Sequence, residues 1–262
     1  MPREIWAAGE LYEPYVGRWS RRVATAFIDW LMPSDGGRWL DVGCGTGALT
    51  TAIVARANPA RVAAVDPSLP YVSYARSALP DEPVVFAVAN AMALPMDGNV
   101  LDHIVSGLML NFVADPPMAI QEMRRVAVAG GTVAAYVWDY ASRMQLMRYF
   151  WDAAVALDPT AEELDEGHRF TMCQPDRLEA LFRSAGLSNV AVHPIEVPTM
   201  FTDFDDYWTP FLGGQAPAPS YAMALADDRR TLLRERLRAV LPTSSDGSIS
   251  LVARAWAVRG RA

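Results

Sequence analysis

The stretch Trp39-Leu40-Asp41-Val42-Gly43-Cys44-Gly45-Thr46-Gly47 constrains this chain more than any other. A short apolar run passes through an aspartate into three glycines spaced two apart. Glycine reaches positive φ at little cost and carries no Cβ, so such a loop turns sharply and brings its backbone N–H groups against a ligand. Downstream, Ala48, Leu49, Ala52 and Ile53 recur at helical spacing. The loop therefore joins a strand to a helix and aims that helix's N-terminus at the bound group, which is expected to be nucleotide-like.

The nicotinamide fingerprint Gly-x-Gly-x-x-Gly is the competing pattern, but here the third glycine comes one residue early and an aspartate stands two before the first. After the helix, Arg61 to Val65 reads as a second buried strand ending at Asp66, nineteen residues beyond Gly47. In an open parallel sheet, ligands lie at the carboxyl ends of the strands, where an acid can accept both hydroxyls of a ribose. Asp66 also precedes Pro67 and the segment from Ser68 to Ala78, where it reads alternatively as a helix N-cap. Val84 to Val88 is a third strand, followed by Asn90-Ala91-Met92-Ala93-Leu94-Pro95. A fourth, Leu101 to Gly107, leaves through Leu108-Met109-Leu110-Asn111-Phe112. Asp115 and two prolines open a helix through Arg125, and Gly130-Gly131 leads into a fifth strand, Thr132 to Trp138.

The Asp-x-Gly-x-Gly-x-Gly of residues 41–47 resembles motif I of the class I S-adenosylmethionine (SAM) dependent methyltransferases. Residues 90–95 are similar to the Asp-Ala-x-x-Leu-Pro of their UbiE-like, or type 11, branch. The resemblance runs from about Leu11 to Trp138. It implies a Rossmann-like α/β fold, a seven-stranded sheet ordered 3-2-1-4-5-7-6 with helices on both faces. Its last strand, antiparallel, would come from Ser248 to Val258, after a helical insertion between the last two strands. It also implies a cofactor site: Asp41, Gly43, Cys44, Gly45 and Gly47 at the amino-acid end of SAM, and Asp66 with Pro67 at the ribose. Asn90, Ala91 and Met92 would bound the adenine, and Gly107 and Leu108 would lie beside the methyl-bearing sulfur. Asn90 replaces the family's acid, and its carbonyl can accept the adenine amino hydrogen bond without charge. The product would be S-adenosylhomocysteine.

One domain is expected over residues 1–262, with three segments outside the minimal sheet: an N-terminal helical cover (1–32), and substrate-side insertions at 140–173 and 199–247. In the first, the resemblance places Arg18 and Tyr12 or Tyr15 near the cofactor carboxylate, which an arginine binds through paired hydrogen bonds. Packing of Trp19 and the tyrosines on the sheet explains the same residues equally well. In the second, Ser142 is a candidate cap for a helix with Met147, Phe150, Trp151 and Ala154 on one stripe. A polar loop then carries His168, the candidate general base, because His103 and His193 fall within strands four and six. A loop histidine is more commonly just solvated. Residues 174–186 read as a surface helix with a glycine C-cap. In the third segment, Met200, Phe201, Phe204, Tyr207, Trp208 and Phe211 recur near helical spacing, followed by a loop at Gly213 to Pro219 and a helix from Asp227. This stripe either glues the insertion in place or offers Trp208 and Phe204 as an apolar wall for a flat acceptor.

A net charge of −7 over 262 residues argues against nucleic acid as the main partner. All 23 basic residues are arginine, so no lysine Schiff base or lysine general base is available. No apolar run suits a leader or a membrane span, and the expectation is a cytoplasmic monomer or homodimer acting on a small-molecule methyl acceptor. Two other readings stay open: a nicotinamide-dependent oxidoreductase, disfavoured by the glycine spacing, and a SAM-binding protein without transferase activity. Cys44 and Cys173 lack metal-ligand or disulfide spacing, and no metal is expected. Turnover should therefore be unchanged by EDTA, and a magnesium requirement in the same assay would overturn that expectation.

Overall fold

The computed structural model describes residues 13–80, 82–214 and 216–262. Tyr12 lies outside the described residues. Strands β1 (Arg38–Val42), β2 (Arg61–Asp66), β3 (Val84–Val88), β4 (Leu101–Gly107) and β5 (Ala127–Trp138) pair in parallel, β1 lying between β2 and β4. β7 (Ile249–Arg261) runs antiparallel to β5, from Thr132↔Arg261 to Trp138↔Ala255, and β6 (Ser188–Phe201) completes the order 3-2-1-4-5-7-6. The central strands have neighbours on both sides and helices around them, which is why they read as aliphatic runs rather than as alternating patterns. Between β1 and β4 the chain's progression across the sheet reverses, and in such sheets a ligand crevice opens at the strands' carboxyl ends. The glycine loop leaves β1 there, and Leu108 leaves β4.

By its contacts the chain divides into two compact units. The core unit comprises residues Ser20–Trp138, Met172–Ile195 and Ala255–Ala262. Within it α1 (Arg18–Leu31) lays Phe27 on Tyr136 of β5, ring centroids 4.8 Å apart. Helix α2 (Ala48–Arg56) follows the glycine loop, and α3 (Leu69–Ala78) follows β2 with Pro70, not Pro67, in its first turn. Asp115 caps α4 (Pro116–Val126) as its spacing predicts, accepting a hydrogen bond from Met118 N at 3.0 Å. Helix α5 (Gln145–Leu157) and the one-turn α6 (Glu166–Arg169) lie outside this unit, whereas α7 (Pro175–Ser184) lies within it, ending before Gly186 at φ +79°.

The insertion unit takes the described residues of Met1–Trp19 with Asp139–Thr171 and Glu196–Arg254. Its interior is aromatic. Phe150 of α5 stacks on Phe211 at 4.5 Å and meets Trp151 edge-on at 5.3 Å, and Tyr15 meets Phe211 edge-on at 5.4 Å. Tyr207 donates its hydroxyl to Leu146 O at 2.9 Å. The unit also buries two charged pairs, Arg148 with Asp165 at 2.6 Å and Arg254 with Asp139 at 2.6 Å, and the Trp151 indole donates to Glu166.

Several local expectations change here. Ser142 does not cap α5, because Met144 still bridges to Ala253 in extended pairing and the helix starts only at Gln145. Met200 and Phe201 belong to β6, which leaves only α8 (Phe204–Trp208) and a 3-10 turn over Thr209–Gly213 for the aromatic stripe. The supposed loop at 213–219 already contains the start of α9 (Pro217–Ala224), since proline suits a first helical position. Helix α10 (Asp227–Val240) begins where expected. No helix among the described residues is long and apolar enough to cross a membrane.

Phe211 is fully buried against Phe150, Tyr15 and Tyr207. Phe211→Ala should cost about 3–5 kcal/mol of stability in urea unfolding. A loss under about 1 kcal/mol would mean that this aromatic interior is not tightly packed.

Candidate active site

The glycine loop is tied to the end of β2 through its own backbone. Gly43 N and Cys44 N both donate to Val65 O, at 2.7 and 3.0 Å, Gly45 N donates to Asp66 Oδ2 at 3.0 Å, and Gly47 N closes on Cys44 O at 2.8 Å. Four N–H groups that the sequence offers to a ligand are thus spent inside the protein. The loop presents bare glycine surface instead: a Cβ added at Gly45, whose φ is +53°, would meet no atom within 4 Å. Such a surface suits close approach by an uncharged part of a ligand better than it suits a phosphate, which needs free donors.

Asp66 is 7% exposed and sits at the hub of this arrangement. Its Oδ1 accepts from Ser68 N at 2.8 Å; Ser68, not Asp66, stands at the N-cap of α3, so the N-cap reading gives way to a carboxylate that holds both the loop and the turn before the helix. Each oxygen accepts one of these bonds and keeps further lone-pair capacity. Burial raises its pKa, and the two N–H bonds oppose that shift. Pro67 is exposed beside it.

Asp41 lies wholly inside the sheet. The Thr50 hydroxyl donates to its Oδ2 at 2.7 Å, while Oδ1 is buried and has no partner among the described residues. Burial pushes its pKa up to about 7; the Thr50 hydrogen bond opposes the shift, and the Asp66 charge adds to it. Cys44 points away from any nucleophilic role. Its side chain packs with Ala64, Val72, Ala75 and Phe86, and burial pushes the thiol up strongly, so only its backbone belongs to the loop's open surface.

At the exit of β4, a Cβ on Gly107 would strike the Tyr136 hydroxyl, and one on Gly43 would run into the side chain of Met109. Leu108 turns the chain at φ +57°, an unusual conformation for a leucine, held by its N–H to Tyr136 O at 2.8 Å. Three residues on, both polar atoms of the Asn111 side chain are buried without a partner among the described residues. Met109 and Asn111 escaped the sequence reading. An amide inside the apolar run 108–112 was the available sign. Asn90 is exposed and uses its side-chain oxygen to accept from Met92 N at 3.0 Å, with Ala91 buried next to it.

The other expected site residues belong to the insertion unit. Tyr15 is buried and Arg18 pairs with Asp206 at 3.0 Å. Trp208 and Phe204 are 4% and 7% exposed and packed within the aromatic interior. His168 lies on α6 rather than in a loop, its side chain 59% exposed, 3.5 Å from Glu162 and 3.8 Å from Asp165.

Comparison with known proteins adds to this geometry. A family model described as a methyltransferase domain matches residues 40–135, the span from the glycine loop's strand to β5. The chain is 30% identical over 179 residues to the demethylmenaquinone methyltransferase of Roseiflexus castenholzii, covering 63% of this chain and 74% of that one. It is 39% identical over 112 residues to an uncharacterized methyltransferase of Mycobacterium tuberculosis, covering 43% of this chain and 44% of that protein, so it spans less than half of that relative's length. Among solved structures, the YcgJ protein of Bacillus subtilis superposes with a TM-score of 0.60 over 92% of this chain and 97% of its own, at 17% identity. At that identity the likeness is one of fold. Motif, relative and fold agree, and the chain belongs to the class I SAM-dependent methyltransferases.

Proposed function

We propose that the β1–β4 end of the core unit binds SAM and that the chain transfers its methyl group to a small organic acceptor by direct displacement. The observation carrying this reading is the loop's hydrogen-bond pattern: the N–H groups of Gly43, Cys44, Gly45 and Gly47 are internally satisfied and its face at Gly45 is bare, while Asp66 keeps acceptor capacity at the end of β2. That combination fits a nucleoside whose side arm carries no phosphate and fits a dinucleotide pyrophosphate poorly. The buried, unpartnered Oδ1 of Asp41 gives a second point of fit, an acceptor available to a cationic ammonium.

When bound, SAM supplies a methyl group activated by a sulfonium. Asp66 holds the ribose hydroxyls, Ala91 and Met92 bound the adenine, and the exit of β4 from Gly107 to Asn111 lies at the reacting end. Met109 contributes apolar surface there, excluding water, and the unpartnered Asn111 amide offers both a donor and an acceptor to a polar ligand group. Positioning of this kind lowers a displacement barrier by roughly 7–11 kcal/mol without a covalent intermediate. The similarity to a demethylmenaquinone methyltransferase supports a small-molecule acceptor.

Mass spectrometry of ligand retained through native purification tests the cofactor, and labelled-methyl turnover against a metabolite extract tests the transfer. Asp66→Ala should weaken SAM binding about 100-fold, roughly 3 kcal/mol, by calorimetry. Unchanged affinity in a folded variant would remove Asp66 from the ribose. Asp41 predicts a pH effect on the apo protein. Its folded pKa of about 7 stands above the unfolded carboxyl value of about 4, so the stability it permits is present below about pH 4 and lost as pH rises to about 7. Asp41→Asn should flatten that decline, an effect on the order of a few kcal/mol between pH 4 and 8 in urea melts. Parallel pH profiles for the two proteins would show that Asp41 stays charged in the fold.

A further inference from the structure

We infer that Glu122 and Arg125 on α4 form a positioning pair: they fasten the chain just after Asn90, Ala91 and Met92 and so set how sharply the site tells adenine from other purines, an inference that rests on the methyl-transfer reading above. The two side chains meet as forks, Arg125 Nε donating to Glu122 Oε1 at 2.6 Å and Nη2 to Oε2 at 2.8 Å. Both also reach the chain between β3 and β4. Glu122 Oε2 accepts from Leu94 N at 2.9 Å, Arg125 Nη2 donates to Leu94 O at 3.1 Å, and Nη1 donates to Met96 O at 2.9 Å. One pair thus holds both backbone groups of Leu94. The end of α4 continues the seam with its own carbonyls, Arg125 O accepting from Asn99 N at 3.0 Å and Val126 O from Val100 N at 3.0 Å. A Cβ on Gly98 would lie only 3.0 Å from Arg125 O, so the chain passes close to the helix there.

The turn's own bonds are local. Asn90 Oδ1 accepts from Met92 N at 3.0 Å, and Asn90 O accepts from Ala93 N at 3.0 Å. Bonds between near neighbours give a turn its shape but not its place, and place decides whether the edge of a base meets its donors and acceptors at hydrogen-bonding length and angle. Place comes from the buried side chain of Leu94 and from the pair on α4. Arginine suits the task because its planar fork can bind a carboxylate along one edge and still donate to two carbonyls, which a lysine ammonium cannot do in fixed geometry. The carboxylate suits it because its two oxygens accept from a backbone N–H and from the fork together. Arg125 holds the Glu122 carboxyl below the usual carboxylate range, so the pair stays ionised around neutral pH. As an ion pair it contributes little to stability, since the Arg125 and Glu122 side chains are 41% and 20% exposed and solvent screens such contacts. Its larger effect is on where the turn sits.

Calorimetry with two ligands tests this: S-adenosylhomocysteine, and S-inosylhomocysteine, which carries a carbonyl and a ring N–H where adenine has an amino group and a bare ring nitrogen. The wild-type protein should prefer the adenosyl ligand by about tenfold or more. Arg125→Met should shrink that preference at least about threefold, chiefly by weakening S-adenosylhomocysteine, while the melting temperature moves by less than about 4 °C. Arg125→Lys, which keeps the charge but lacks the fork, should shrink it as well and covers the case in which Arg125→Met fails to fold. An unchanged preference in the folded variants, whatever their overall affinity, would overturn the inference, and so would a wild-type protein that binds S-adenosylhomocysteine without preferring it. A larger fall in the melting temperature of Arg125→Lys would make the pair a support of the fold and overturn the inference too. Failure of the wild-type protein to bind S-adenosylhomocysteine would instead strike the methyl-transfer reading itself.

Discussion

The end of β2 is the anchor on which the candidate site depends. One carbonyl, that of Val65, accepts from Gly43 and Cys44 together, and one carboxylate, that of Asp66, joins the glycine loop to the entry of α3. These bonds hold three successive loop residues against the neighbouring strand, so the loop needs no ligand to take its shape. A surface formed in advance binds with less loss of conformational freedom than one ordered by its ligand. The cost is that four of the loop's donors are used up, and the consequence is chemical: the loop is suited to close packing against a part of a ligand that carries no phosphate.

The same economy of small residues governs the exit of β4. Gly43 leaves room for the Met109 side chain and Gly107 for the Tyr136 hydroxyl, so two glycines on neighbouring strands admit two large side chains from elsewhere in the core unit. Leu108 accepts a strained φ to make the turn, as residues at functional sites commonly do when the surrounding structure over-determines them. Asp41, near the carboxyl end of β1, and Asn111, in the 3-10 turn that follows β4, carry buried polar atoms without partners among the described residues. Unsatisfied groups gathered at a topological switch point are better explained by a ligand than by packing.

The insertion unit follows a different physical rule. Its aromatic residues face one another rather than a cleft: Phe150, Phe211, Tyr207 and Tyr15 contact in a continuous series of stacked and edge-on rings. Burying such rings stabilises a small unit that has little sheet of its own, and the same unit buries the charged pairs Arg148–Asp165 and Arg254–Asp139 with their hydrogen bonds made.

The sequence by itself determined the sheet and its order of elements. Glycine spacing, short aliphatic runs and an acid at the end of the second strand are local patterns that follow from backbone geometry, and β3 and β4 begin and end where those patterns do. It also marked Asp66 and the glycine loop as the cofactor side, because their position along a parallel sheet is a matter of chain order. Only tertiary structure decided what depends on partners distant in sequence. The spending of the Gly43 and Cys44 N–H groups on Val65, 22 and 21 residues away, is one such outcome. The burial of Cys44 among Val72, Ala75 and Phe86 is another, and the seating of Met109 against Gly43 a third. Helix starts moved for the same reason: Ser142 is a good cap by residue type, but pairing of Met144 with Ala253 delays the helix past it. Arg18, which the resemblance places near a cofactor carboxylate, is in the fold a group clamped by Asp206 and Phe201, residues more than 180 positions along the chain that no local pattern could supply.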